Sequence, residues 1–251
     1  MNIWKCEFDV EEIVFLEVIV SEQSLRMNSV KVKVIINWTT SINLTEVQSF
    51  MRFVNFYRRF IKNFSKLVKS FIQLTRKDTS FVWNEVCVQA FDDLKKQVSS
   101  ILVLRHFNSK WQTILEINAF DYVKDEILSQ YDDEEVLHSI AFYSKSMILA
   151  ECNYHIYDKK LLIIIQCFKH WRLKLECIEL LIQMFIDHQT LKTFMKNKQL
   201  TRRQVNYSDI LFEFNFQIIF WSEKMNIKVD ALIRMSLIDV SESTQRTEDH
   251  Y

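Results

Sequence analysis

The spacing of hydrophobic positions changes several times along the chain. Up to about residue 25, CEFDVEEIVFLEVIV mixes alternation with a β-branched run and reads as strand. From about Met27 the period becomes helical. VKVKVIINW suits a short helix, and LTEVQSFMRFVNFYRRFIKNF is an amphipathic one with Val47, Phe50, Val54 and Tyr57 at helical spacing. Asn43 or Thr45 can cap it. NEVCVQAFDDLKKQV, just after Trp83, is a further helix. Beyond Leu104, WQTILEIN, YVKDEILSQ and LHSIAFYSKSM read as three successive strands, with YDDEEV as an acidic hairpin tip between the second and third. One long helix is expected from about Ala150 to Lys174. LLIQMFID is almost continuously apolar, as a buried central strand is. Helical segments follow around Leu191 and from Arg202 to Leu211. FNFQIIFW is a strand, KVDALIRM a short helix, and the polar residues from Ser241 onward read as disordered. The second half is thus β-β-β-α-β-α-α-β-α, the order of a mixed α/β sheet.

A chain of 251 residues suffices for one large or two modest domains. Its formal net charge is zero, which argues against strong non-specific nucleic-acid binding and leaves only local basic patches for that role. Five scattered cysteines fit reduced thiols and an intracellular, cytoplasmic or nuclear, location rather than a disulfide framework. MNIWKCEFDVEE lacks the pattern of a signal peptide, and no apolar run approaches the ~18 residues of a membrane span. The composition departs from the ordinary in one respect: Gly 0 and Pro 0. Average usage would supply about 30 of the two together. Selection against helix breakers is one reading. The other is a gene eroded by C-to-T change, which converts Pro to Ser or Leu and Gly to Glu, Arg, Asp or Ser. A chain with several strands needs positive φ at its turns, and Gly adopts it at least cost, so the second reading is physically the better one.

Several blocks in this order resemble the end of the reverse transcriptase and the RNase H-like domain of gypsy-class LTR retrotransposon polyproteins. They are KCEF, FLEVIVSE, EVQSFMRFVNFYRRFIKNFSK, FVWNEVCVQAFDDLKKQV, AFYSKSM with AECNYHIYDKKLLIIIQCFKHWRLKLE, FIDHQTLKTF and VDALIR. The resemblance implies an RNase H-like mixed five-stranded sheet with helices, preceded by a helical thumb and connection. It divides the chain into a remnant of the polymerase palm (1–25), a thumb-like region (26–78), a connection (79–108), the RNase H-like domain (109–238) and a disordered tail (239–251). The polymerase's own aspartate motif would lie before Met1, and no protease or integrase signature is present.

In that family four acids hold two divalent ions, Mg²⁺, that cleave the RNA strand of an RNA/DNA hybrid. Carried onto this chain, the acid positions are Asn118 in Asn118-Ala119-Phe120, Lys160 in Lys159-Lys160-Leu161-Leu162, Asp187 before His188, and Asp230 in VDALIR. Asp187 and Asp230 thus remain as catalytic and metal-binding candidates, while Asn118 and Lys160 mark lost acids. Plainer roles are a strand-end cap for Asp187 and a first-turn helix acid for Asp230. The resemblance also implies Gly where Glu17, Arg52, Asp125 and Glu223 stand, Pro where Ser29, Ser41, Ser70 and Ser222 stand, and Gly and Ala at Asp125 and Glu126. New charge is therefore expected on a packed strand face. Each loss except Ala to Glu at position 126 fits single C-to-T or G-to-A changes in a silenced repeat. The expected result is a degenerate, catalytically dead copy. A non-enzymatic nucleic-acid- or protein-binding module on the same fold is the alternative, with no membrane and no small-molecule substrate. Arg58, Arg59, Lys62, Arg202 and Arg203 are the candidate nucleic-acid contacts, a solvated helix face being an equal reading for each. Cys152, His155, Cys167 and His170 have a C-x2-H spacing that suggests zinc, but on one continuous helix the two pairs would stand too far apart to share an ion.

Overall fold

The computed structural model describes residues 10–39, 43–77, 79–100, 103–120, 122–187, 191 and 201–221. The chain forms two compact units that divide between His106 and Phe107.

The first unit opens with three antiparallel strands, β1 (Glu12–Phe15), β2 (Val18–Ser21) and β3 (Ser24–Met27). A short strand β4 (Leu104–Arg105) returns from the end of the unit to pair with β3, a partnership no local pattern announces. The β1–β2 hairpin has only Leu16 and Glu17 between the paired Phe15 and Val18. Both adopt positive φ, 47° and 65°. That is the geometry in which Asn-Gly is favoured and a branched or long side chain is not. Glu17 occupies a position where the family resemblance implies Gly. Its carboxylate pairs with Lys31 at 2.7 Å, and its carbonyl accepts from the Tyr57 hydroxyl at 3.3 Å.

Helix α1 (Ser29–Ile36) begins at Asn28, whose side chain accepts the Val30 N–H. Helix α2 (Leu44–Phe56) is capped by Asn43, whose side chain accepts the Glu46 N–H, and Val47, Phe50 and Val54 face inward as their spacing predicts. The helix expected to run through Phe64 instead ends at Phe56. A 3-10 turn (Arg58–Phe60) and a left-handed Asn63 follow before α3 (Phe64–Leu67) and α4 (Lys69–Leu74). The turn lets the adjacent Phe60 and Ile61 both reach the core. Helix α5 (Glu85–Ser99), capped by Asn84, closes the unit around an aromatic cluster in which the Phe50 ring lies 4.8 Å from Phe91 and 5.6 Å from Trp38.

The second unit is a five-stranded mixed sheet in the order β7-β6-β5-β8-β9. Its strands are β5 (Thr113–Phe120), β6 (Val123–Tyr131), β7 (Leu137–Ser146), β8 (Ile182–Ile186) and β9 (Phe216–Phe220). The first three form an antiparallel meander, while β8 and β9 run parallel to β5. The expected helix from Ala150 to Lys174 is broken into α6 (Leu149–Cys152), α7 (Ile156–His170) and α8 (Arg172–Leu175). The Glu151 carboxylate accepts the Ile148 N–H at 3.0 Å at the start of α6 and accepts from Lys124 on the sheet. Helix α7 carries most of the core: Leu161, Ile163, Ile164, Ile165, Cys167 and Phe168 are all essentially inaccessible. Helix α9 (Arg202–Leu211) starts with a capping box between Thr201 and Gln204.

Candidate active site and nucleic-acid interface

The sheet's topology assembles the site. Strands β5 and β8 are parallel neighbours, and Ile117 pairs with Ile186 at their last shared position. Asn118 and Asp187 are the next residues on each strand, side by side at the carboxyl ends, where open α/β sheets place their ligands. Lys160 lies in the second turn of α7 and is 5% exposed. Its ammonium donates to Asp187 Oδ1 in a close ion pair whose side chains are 6% and 21% exposed. Three sequence-expected positions therefore belong to this end of the sheet: a neutral amide, a buried ammonium and the one carboxylate that the ammonium neutralises. Asp230 lies outside the described residues.

This donor set does not fit a pair of divalent ions. Mg²⁺ needs charged oxygen ligands, and a fixed ammonium bonded to Asp187 opposes it. At ~4 Å and an effective dielectric of 20, each unit of cation charge would meet about 4 kcal/mol of repulsion. That corresponds to roughly a thousandfold loss of affinity. Among the described residues no three His, Cys, Asp or Glu side chains converge to hold a metal. The cysteine–histidine set is likewise dispersed. Cys152 ends α6, His155 precedes α7, Cys167 is buried, and His170 stacks on Tyr143 at 3.8 Å. The single continuous helix assumed for that set is corrected by the break at residues 153–155.

Three consecutive charges on β6 enter the interior. Lys124, Asp125 and Glu126 are 1%, 5% and 1% exposed. Lys124 donates to Glu151 and to Gln166, each at 2.7 Å, and Gln166 donates back to Glu151 at 3.1 Å, which closes a satisfied polar triad. Burial pushes the Glu126 carboxyl up to about 8, against the opposing effects of the Cys167 thiol beside it and of Lys124. Burial likewise raises the Cys167 thiol well above its usual value, and Glu126 adds to the effect. Asp125 stands directly opposite Asn118 in the β5–β6 ladder. The sequence announces the charge at Asp125 and Glu126 but not the Lys124–Glu151–Gln166 triad. The available signal was the Lys-Asp-Glu run inside a strand paired on both edges.

The basic candidates lie on both units. Arg58 packs over the Phe64 ring at 5.6 Å and Arg59 over Phe60 at 5.7 Å. Lys62 is half-buried in the turn that follows. Arg202 and Arg203 are exposed at the start of α9, and the Arg203 guanidinium lies 4.2 Å from the centre of the Tyr154 ring. In all three stacked cases the cation keeps an aromatic face.

Residues 83–182 match the RNase H-like domain found in reverse transcriptase. The Tf2-3 and Tf2-4 transposon polyproteins of Schizosaccharomyces pombe are 31% identical over 241 residues, covering 94% of this chain. The chain spans only 18% of their length. Among solved structures, a foamy viral protease-reverse transcriptase in complex with dsDNA superposes with a TM-score of 0.67 at 18% identity, over 85% of this chain and 45% of that one. The same kind of protein in complex with an RNA/DNA hybrid gives 0.64 at 18% identity, over 85% of this chain and 29% of that one. These two likenesses concern the fold. Among the described residues no helix is long and apolar enough to cross a membrane. The chain is therefore a homologue of retrotransposon polyproteins, and its residues 83–182 belong to the RNase H-like domains found in reverse transcriptase.

Proposed function

We propose that this chain is the thumb, connection and RNase H portion of a retrotransposon reverse transcriptase, descended from a two-metal nuclease of RNA/DNA hybrids, and that it no longer cleaves. One observation carries the reading: the helix position expected to supply an acid supplies Lys160, bonded to Asp187. Asp187, with Asp230, would be what remains of the ancestral Mg²⁺ ligands, and Asn118 and Lys160 the positions of the lost ones. The palm remnant, thumb and connection would fall at 1–25, 26–78 and 79–108, with the RNase H-like domain at 109–238.

Hybrid binding without cleavage is the second reading. It draws on the exposed Arg202 and on Arg203 stacked over Tyr154, and on neighbours of the same fold that bind hybrid and dsDNA. Arg58, Arg59 and Lys62 would serve the same backbone contacts from the first unit.

The test is cleavage of a labelled RNA/DNA hybrid in Mg²⁺ or Mn²⁺. A double revertant, Asn118→Asp with Lys160→Glu, is not sufficient by itself. Asp125 faces position 118 across the ladder, and like charges directly opposite one another destabilise a strand pair. The informative protein is the triple variant that adds Asp125→Gly. It is expected to cut where the natural chain does not. Ordinary metal-dependent cleavage by the natural chain would refute the proposal. Retention of labelled hybrid by the uncut natural chain, lost on Arg202→Ala with Arg203→Ala, would support the second reading.

A further inference from the structure

We infer that the Lys160 ammonium serves this site as a built-in counter-cation, doing for Asp187 what a bound divalent ion would otherwise do, so that the second unit folds and keeps its site closed independently of metal. The inference rests on the functional reading above, since it takes Asp187 as a former metal ligand.

The physical argument starts from the carboxylate. Asp187 stands at the end of β8, the strand between β5 and β9, with its side chain four-fifths buried. A carboxylate in that position costs several kcal/mol to desolvate unless a cation accompanies it. Among the described residues the cation bonded to it is Lys160, itself 5% exposed on a helix that carries the core. The amide at Asn118 adds no charge to the neighbouring strand end. The Asp187–Lys160 pair is therefore neutral by itself without any ion. Two carboxylates and no ammonium would be the reverse case, one that demands a cation. A lysine differs from a metal ion in being covalently fixed, so it cannot be removed by chelation and does not depend on concentration.

The consequence is a specific pattern of metal response. Thermal unfolding of the natural chain is expected to be indifferent to Mn²⁺ and to chelator, and free Mn²⁺ titrated into it should keep its full paramagnetic resonance signal. Lys160→Ala leaves Asp187 without its partner. That variant should melt lower in chelator and recover part of the loss in millimolar Mn²⁺, by about 3 °C or more. Lys160→Ala combined with Asp187→Asn removes both charges and should melt above the single variant in chelator, with no Mn²⁺ response. Stoichiometric Mn²⁺ binding by the natural chain would overturn the inference. So would a Lys160→Ala protein that melts no lower than the natural chain, or one whose double variant keeps the same Mn²⁺ response. If Lys160→Ala does not fold, Lys160→Gln takes its place, and the natural chain's own Mn²⁺ titration decides the matter alone. The cleavage proposal fails separately: a triple revertant that binds Mn²⁺ yet leaves hybrid intact counts against the nuclease ancestry, not against the counter-cation.

Discussion

Glu126 should make the stability of the second unit fall as pH rises. Its carboxyl is buried on β6, and its pKa stands at about 8 against an ordinary 4.5, chiefly from desolvation. Between those values the folded chain holds a proton at this group and the unfolded chain does not. Stability therefore declines with increasing pH across the window from 4.5 to 8, and the loss is complete above it. The limiting slope is ~1.4 kcal/mol per pH unit, and the full span would approach ~5 kcal/mol. That is comparable to the whole stability of a modest domain, ~5–15 kcal/mol. The assay is urea unfolding followed by tryptophan fluorescence at pH 5 to 9, for the natural chain and for Glu126→Ala, the residue the family resemblance implies there. The natural chain should lose stability steeply towards pH 8, and the variant should have a much flatter profile and be the more stable protein at pH 8. Other titrating groups are common to both proteins and cancel in the difference, except the Cys167 thiol, which Glu126 also pushes up and which bears on the alkaline end of the range. Parallel pH profiles for the two would refute the reasoning, because they would mean that Glu126 reaches solvent or a cation when it ionises.

Two further outcomes follow from the same interior and from the hairpins. Glu17→Gly removes a side chain from a residue held at φ 65° and should stabilise the first unit by about 1 kcal/mol in chemical denaturation, even though the Lys31 contact is lost. Lys124→Ala opens the closed triad and leaves Glu151 and Gln166 without their shared donor. It should cost about 3 kcal/mol by the same measurement, and an effect below ~1 kcal/mol would mean that water replaces the ammonium freely.

Local chemistry made most of the elements legible. Asn43 and Asn84 cap their helices because a short side-chain oxygen three residues ahead of an unpaired N–H is a property of adjacent sequence. Val47, Phe50 and Val54 are buried because helical spacing alone puts them on one face. The meander of β5, β6 and β7, and the near-continuous apolar run of β8, follow from period and burial in the same way. Asn118 and Lys160 were visible as departures from the family's motif, and their proximity was implied by it.

Partners distant in sequence had to be decided by the tertiary structure. That Lys160 bonds Asp187, 27 residues away, was decided by the packing of α7 on the sheet. Glu151 finds Lys124, 27 residues away, and no helical period contains that information. The short β4 pairs with β3, a partner far away in sequence, through the edge that β3 offers. The opposition of Asp125 to position 118 is a matter of ladder register, which is set by the hairpin and by the packing of both sheet faces together. Capping, periodicity and motif are properties of neighbours along the chain. Charge neutralisation and register depend on which surfaces meet, and only the folded chain brings those surfaces together.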